Sequence, residues 1–139
     1  MNELTEQSIP SFEKRFHRCD DGVIRRIDIV YRSGKNRNSR ISIMLSVKDN
    51  EIIDNRASVN LRLEMTDVKE FSFTECDTTY QVLSNGITIK QIGGLYYIHF
   101  DPVDEPESVL DFRNSKFYAA SKTISWEVLP YHEEEQMPQ

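Results

Sequence analysis

The run Tyr80-Gln81-Val82-Leu83-Ser84-Asn85-Gly86-Ile87-Thr88-Ile89-Lys90-Gln91-Ile92-Gly93-Gly94-Leu95-Tyr96-Tyr97-Ile98-His99-Phe100 decides the fold class. Tyr80 to Leu83, Ile87 to Ile92 and Leu95 to Phe100 are strand-length segments bounded by turn residues. Asn85-Gly86 accepts the left-handed backbone of a type I′ hairpin turn, and Gly93-Gly94 closes one strand and opens the next. The spacing predicts three consecutive strands in an antiparallel meander.

Upstream, Val23, Arg25, Ile27, Ile29 and Tyr31 alternate with Ile24, Arg26, Asp28, Val30 and Arg32. That period of two predicts a half-buried strand with the first set on one face. Ile41, Ile43, Leu45 and Val47 oppose Ser42, Met44 and Ser46 in a cleaner second strand. The polar stretch Ser33-Gly34-Lys35-Asn36-Arg37-Asn38 between them predicts a long-looped hairpin. Val59, Leu61, Leu63 and Met65 alternate with Asn60, Arg62 and Glu64 in a third strand. Thr66-Asp67 breaks it before a fourth, anchored by Phe71 and Phe73.

Downstream, Asp101-Pro102-Val103-Asp104-Glu105-Pro106 cannot be a central strand, because proline donates nothing to a ladder. Asp104 reads as an N-cap, with Pro106 early in a short helix near residues 106 to 114. Two short strands follow, Phe117 to Ala120 and Thr123 to Val128. In the second, Trp126 shares a face with Ile124 and Val128 and is expected against that helix. The fold class is mainly β: an antiparallel meander, sandwich or partly open barrel with one short helix in the C-terminal half. The expected organisation is a flexible segment 1–11, one β-rich domain 12–130 and a mobile acidic tail 131–139.

The 139 residues are 38% hydrophobic, enough for one economical core. No long uncharged apolar run exists, which excludes helical membrane spans. The N-terminus has neither a basic nor an apolar region of the secretory kind, so Cys19 and Cys76 are expected to be reduced thiols in the cytoplasm. Charge is uneven. Residues 1–48 hold ten Lys/Arg and six Asp/Glu, whereas residues 49–139 hold seven and 17, giving a net −6. The basic cluster Arg25, Arg26, Arg32, Lys35, Arg37 and Arg40 reads as a solvated hairpin tip rather than a nucleic-acid surface. Acidic residues Asp101, Asp104, Glu105, Glu107 and Asp111 gather where the strand pattern breaks, and they are the candidate partner-binding residues.

His17-Arg18-Cys19-Asp20-Asp21 is the group closest to a metal or thiol site. It lacks the further ligands that zinc needs, and no strained nucleophile turn or phosphate loop accompanies it. Cys76, His99 and His132 stand alone in the sequence. No cofactor, metal or catalytic residue is expected, and no enzymatic activity. A polar pocket containing His17, Cys19 or His99 would revive the enzyme reading. Most of Tyr96, Tyr97, Phe100, Phe112, Phe117, Tyr118 and Trp126 are expected in the core where the helix meets the sheet.

The layout resembles a group of small bacterial β-rich proteins of the Phe-His-Asp type, several grouped as immunity proteins of polymorphic toxin systems. The carrying residues are Phe16-His17 before Val23 to Tyr31, Leu61 to Val68, and Ser84-Asn85-Gly86-Ile87. Tyr96 to Phe100, Asp111-Phe112-Arg113-Asn114-Ser115-Lys116-Phe117-Tyr118 and Trp126-Glu127 complete it, spanning residues 12 to 130. The chain departs from the pattern where Arg18-Cys19 separate His17 from Asp20. The resemblance implies a cytoplasmic protein-binding module that neutralises a cognate bacterial toxin by masking it. An acidic inhibitor suits a basic toxin through electrostatic steering. A membrane or nucleic-acid partner is not expected, and an exposed edge strand could pair into a homodimer. The alternative is a housekeeping or structural protein without catalytic activity.

Overall fold

A computed structural model describes residues 1–31, 39–52, 58–74, 82–102 and 104–129. The elements in chain order are β1 (Asn2–Glu3), α1 (Ile9–Arg15), β2 (Gly22–Val30), β3 (Ser39–Lys48), β4 (Ser58–Phe73) and β5 (Val82–Leu83). They continue with β6 (Ile87–Ile92), β7 (Leu95–Phe100), α2 (Val109–Arg113) and β8 (Phe117–Leu129). The eight strands form one antiparallel sheet in the order β5-β2-β3-β4-β8-β7-β6, with β1 added to β8. That path starts at β5 and ends at β6, and only Ser84, Asn85 and Gly86 separate the two in sequence. Both outer edges are therefore tethered within one turn, and the sheet curls into a nearly closed barrel. The expected mainly-β, partly open barrel is the fold observed.

The meander is displaced by one strand. β6, β7 and β8 are consecutive antiparallel neighbours, with Gly93-Gly94 as the first turn. Asn85-Gly86, however, joins no ladder pair, because β5 pairs with β2 through Gly22↔Leu83 and Val23↔Val82. The Gly86 N–H donates to Leu83 O at 3.0 Å, so Ser84 and Asn85 are the central turn residues and Gly86 follows with φ +68°. Tyr80 and Gln81 of the decisive stretch lie outside the described residues.

Cross-strand triples such as Ile43↔Leu63↔Trp126 and Leu45↔Leu61↔Val128 place one apolar face of β3, β4 and β8 toward the barrel interior. β2 joins them through Ile24, Ile27 and Ile29, not through the strict alternation its sequence suggests. A register shift between Ile24 and Arg26 turns Arg25 outward, where its Nε donates to Ser46 Oγ at 3.0 Å. A second irregularity replaces the expected break at Thr66-Asp67. Asp67 adopts φ +53°, the register shifts between Val68 and Glu70, and β4 runs on as a single 16-residue strand. β8 is likewise one strand of 13 residues instead of two.

The N-terminal segment is not the loose end that its polarity suggests. Asn2 and Glu3 pair with Trp126 and Ser125, and Leu4 is fully buried. Ile9, Phe12 and Phe16 then descend into the core, with the Phe12 and Phe16 rings 5.6 and 5.4 Å from Trp126. Trp126 is thus half-buried against α1, not against α2. Arg15 completes this corner, with its guanidinium over the Trp126 ring at 5.2 Å and its Nε and Nη2 each donating at 3.0 Å to the buried Asp49 carboxylate.

α2 begins three residues later than expected. Ser108, not Asp104, is its N-cap, and Asp111 closes a capping box by accepting the Ser108 N–H. Pro106 precedes the helix and is buried. Phe112 packs with Tyr97, Tyr118 and Ala120 in a second cluster on the outer face of β7 and β8. Residues 131–139, where the tail was expected, lie outside the described residues, as does Pro130.

Candidate functional site: an acid-lined pocket beside the barrel seam

A pocket of about 940 Å³ opens where the ends of β5 and β7 meet the chain running into and out of α2. Its apolar walls come from Ile24, Val82, Phe100, Pro106 and Phe117. Its polar wall holds Asp101, Asp104, Glu105 and Asp111, with His99, Lys116 and three small polar side chains. Four of the five acidic residues singled out in the sequence therefore converge on one concavity. Glu107 is exposed but lies off its wall.

The carboxylates are held in different ways. Asp101 takes φ +60° at the end of β7; its Oδ1 accepts the Asn85 N–H at 2.7 Å, and its own N–H donates to Gly86 O at 2.8 Å. It thereby fastens β7 to the turn that closes the barrel. Asp111 Oδ2 accepts the N–H groups of Glu107 and Ser108, and these bonds hold its carboxyl below the usual carboxylate range. Glu105 Oε2 accepts from Arg18 Nη2 at 3.2 Å. Asp104 is exposed at the rim.

His99 sits half-buried at the pocket wall, its Nδ1 3.2 Å from Phe100 O. Burial pushes its pKa down, against the opposing pull of the Phe100 carbonyl and Asp101. The ring is therefore neutral near pH 7, and its described hydrogen bonds leave Nε2 unused. The pocket lining sets four acidic side chains against one lysine, Lys116.

His17-Arg18-Cys19 forms the brace behind this pocket rather than a chemical site. All three residues adopt left-handed φ, at 53°, 54° and 59°, and the turn is closed by Cys19 N–H to Phe16 O and Asp20 N–H to His17 O. His17 projects outward while Cys19 is fully buried, so the two do not meet. Burial, reinforced by Asp20 and Glu13, pushes the Cys19 thiol up to about 12, far from a nucleophile's range. Arg18 spans from this turn to Thr88 Oγ1 at 2.9 Å as well as to Glu105. Its Nε lies 3.4 Å from Glu13 Oε2, whose carboxyl is itself pushed up by burial. Cys76 and His132 lie outside the described residues.

Among the described residues, no three His, Cys, Asp or Glu side chains converge on a metal-sized site. The basic cluster is partly neutralised where it is described: Arg26 pairs with Asp28 at 2.7 Å and Arg40 with Glu64 at 3.2 Å. Arg32, Lys35 and Arg37 lie outside the described residues. Among the described residues, no helix is long and apolar enough to cross a membrane.

The sequence pointed to the acidic segment but not to the pocket, which needs β5 on β2 and the left-handed turn under Gly86. Arg18 and His99 acquire their places only through those long-range pairings. No family model matches the chain, and neither does any curated protein or solved structure.

Proposed function

We propose that the chain is a protein-binding module of the immunity type, which masks a basic protein toxin and presents the acid-lined pocket to it. The observation that carries this reading is the convergence of Asp101, Asp104, Glu105 and Asp111 on one open pocket of about 940 Å³ in a chain of net charge −6. Three of these carboxylates are already held by the fold, through the β7 terminus, Arg18 and the helix cap. A pre-positioned negative wall attracts a basic surface at long range and costs little to order on binding.

The test is recovery of the tagged chain from its native host, followed by reconstitution with whatever purified protein accompanies it. The reading expects a basic protein that halts growth when expressed alone and is harmless when this chain is co-expressed. A partner that is acidic, or whose toxicity is unaffected, would count against it.

His99 in the pocket favours a second reading, an enzyme acting on a small cationic substrate with the imidazole as base. No described hydrogen bond orients His99 through a carboxylate, which is the arrangement such a base ordinarily uses.

A further inference from the structure

We infer that the pocket is the seat of a single arginine side chain of the protein partner, an inference that rests on the masking role proposed above. The cavity combines two chemistries that only a few ligands satisfy together. Phe117 and Pro106 line the cavity and offer apolar surface to a hydrocarbon stem, Phe117 being half-buried and aromatic. Asp104 at the rim, with the carboxylate oxygens of Asp101 and Asp111 that their described bonds leave free, offers acceptors to N–H donors.

A guanidinium matches this set better than an ammonium. It is planar, it stacks on aromatic rings, and it donates through a fork that meets carboxylates two at a time. Arg18 already places one guanidinium nitrogen 3.2 Å from Glu105 Oε2 from behind the wall, which leaves Asp101, Asp104 and Asp111 to meet the incoming cation. A simple anion is disfavoured by the four acidic side chains, and a neutral apolar ligand would gain nothing from them. The volume of about 940 Å³ exceeds what one side chain fills, leaving room for the loop that carries it. The exposed Glu107 just outside extends the same charge over the surrounding surface.

The probe is N-acetyl-L-arginine methylamide, titrated into the isotope-labelled chain and followed by nuclear magnetic resonance. The neutral isostere N-acetyl-L-citrulline methylamide and the N-acetyl-L-lysine analogue serve as comparisons. The arginine probe is expected to bind with a dissociation constant on the order of 1 mM, a realistic strength for so small a ligand. It should shift His99, Lys116 and Phe117 and bind roughly tenfold more tightly than citrulline, with lysine between them. Asp104→Asn should weaken the arginine probe about threefold or more without moving the urea midpoint, because Asp104 is exposed. Adding the reconstituted partner should displace the probe.

Equal binding of citrulline, shifts that map elsewhere, or no shift up to about 20 mM probe would overturn the inference. A partner that binds while the probe stays in place would also overturn it, yet leave the masking role intact. Loss of the masking role would instead show as a probe that binds normally while no basic, growth-halting protein is recovered with the chain.

Discussion

Gly86 lies so close against Arg18 that a Cβ at position 86 would overlap the Arg18 carbonyl oxygen and the Asp20 carboxylate. This contact joins the two least regular pieces of the molecule. One is the turn that brings the sheet's outer edges together; the other is the left-handed run His17-Arg18-Cys19 that carries Arg18 to the pocket. Left-handed backbone costs a non-glycine residue about 1–2 kcal/mol, so three in succession persist only because their surroundings hold them. Those surroundings are the buried Cys19, the Asp21 N–H on Leu83 O and the missing side chain of Gly86.

Gly86→Ala should therefore destabilise the chain by about 2–4 kcal/mol, combining the left-handed φ with overpacking. Gly94→Ala is the control: its φ is +81°, but nothing lies within 4 Å of an added Cβ, so about 1 kcal/mol is expected. Urea midpoints of the two variants check the difference. Equal losses would mean that the seam contact with Arg18 contributes nothing.

Trp126→Ala should cost about 3 kcal/mol, the low end for a large aromatic because the indole is only half-buried. Phe12→Ala should be coupled to it by roughly 0.5–1.5 kcal/mol in a double-mutant cycle, since the rings are 5.6 Å apart. Additive losses would place Phe12 away from Trp126 and return the N-terminal segment to a peripheral role.

Arg15→Met keeps the hydrocarbon stem but leaves the buried Asp49 carboxylate unpaired. About 2 kcal/mol is expected, less than for a fully buried pair because the Arg15 side chain is 25% exposed. Burial raises the Asp49 pKa, but the Arg15 hydrogen bonds and the Glu51 N–H outweigh it and leave the pKa below 3.8. The wild-type contribution is therefore complete above that pH and lost as pH falls through the lower folded value. Stability measured between pH 5 and pH 2 should fall less steeply in the variant.

His99 has the opposite charge logic in a higher window. Burial favours its neutral ring, so its folded pKa lies below 6.5. The associated stability is complete above pH 6.5 and lost as pH falls through the depressed value. His99→Gln should flatten the stability curve in that window, and a nuclear magnetic resonance titration of the His99 ring should give a midpoint below 6.5. A midpoint above it would mean that Asp101 and its neighbours outweigh burial.

What could be read in the sequence divides by range. The alternations at Ile41 to Val47 and Val59 to Met65 are local patterns, and the strands they predicted are present with the expected inward faces. Ser108-Val109-Leu110-Asp111 carries a capping-box spacing that would have placed α2 correctly, and Ile9, Phe12 and Phe16 carry the helical spacing of α1. The bulges at Arg25 and Asp67 were not legible, because a one-residue shift is set by the partner strand rather than by the residues themselves. Asn85-Gly86 misled for the same reason. Of the two only Gly86 takes the left-handed backbone, one position after a turn centred on Ser84-Asn85, and a two-residue β5 gains its ladder from β2, more than 50 positions away in sequence. The acidic segment was visible as composition; its convergence on a pocket with His99 required the barrel to close.

The most direct test of the proposed role is the rate at which the chain associates with its reconstituted partner at two salt concentrations, comparing wild type with Asp104→Lys/Glu107→Lys. Both side chains are exposed, so the fold should change by less than about 0.5 kcal/mol for each. Association should slow about tenfold at low salt. The difference should shrink as salt rises, because exposed charges are screened over about 8 Å at physiological ionic strength. A doubly reversed variant that folds normally and associates at the wild-type rate at both salt concentrations would contradict the account.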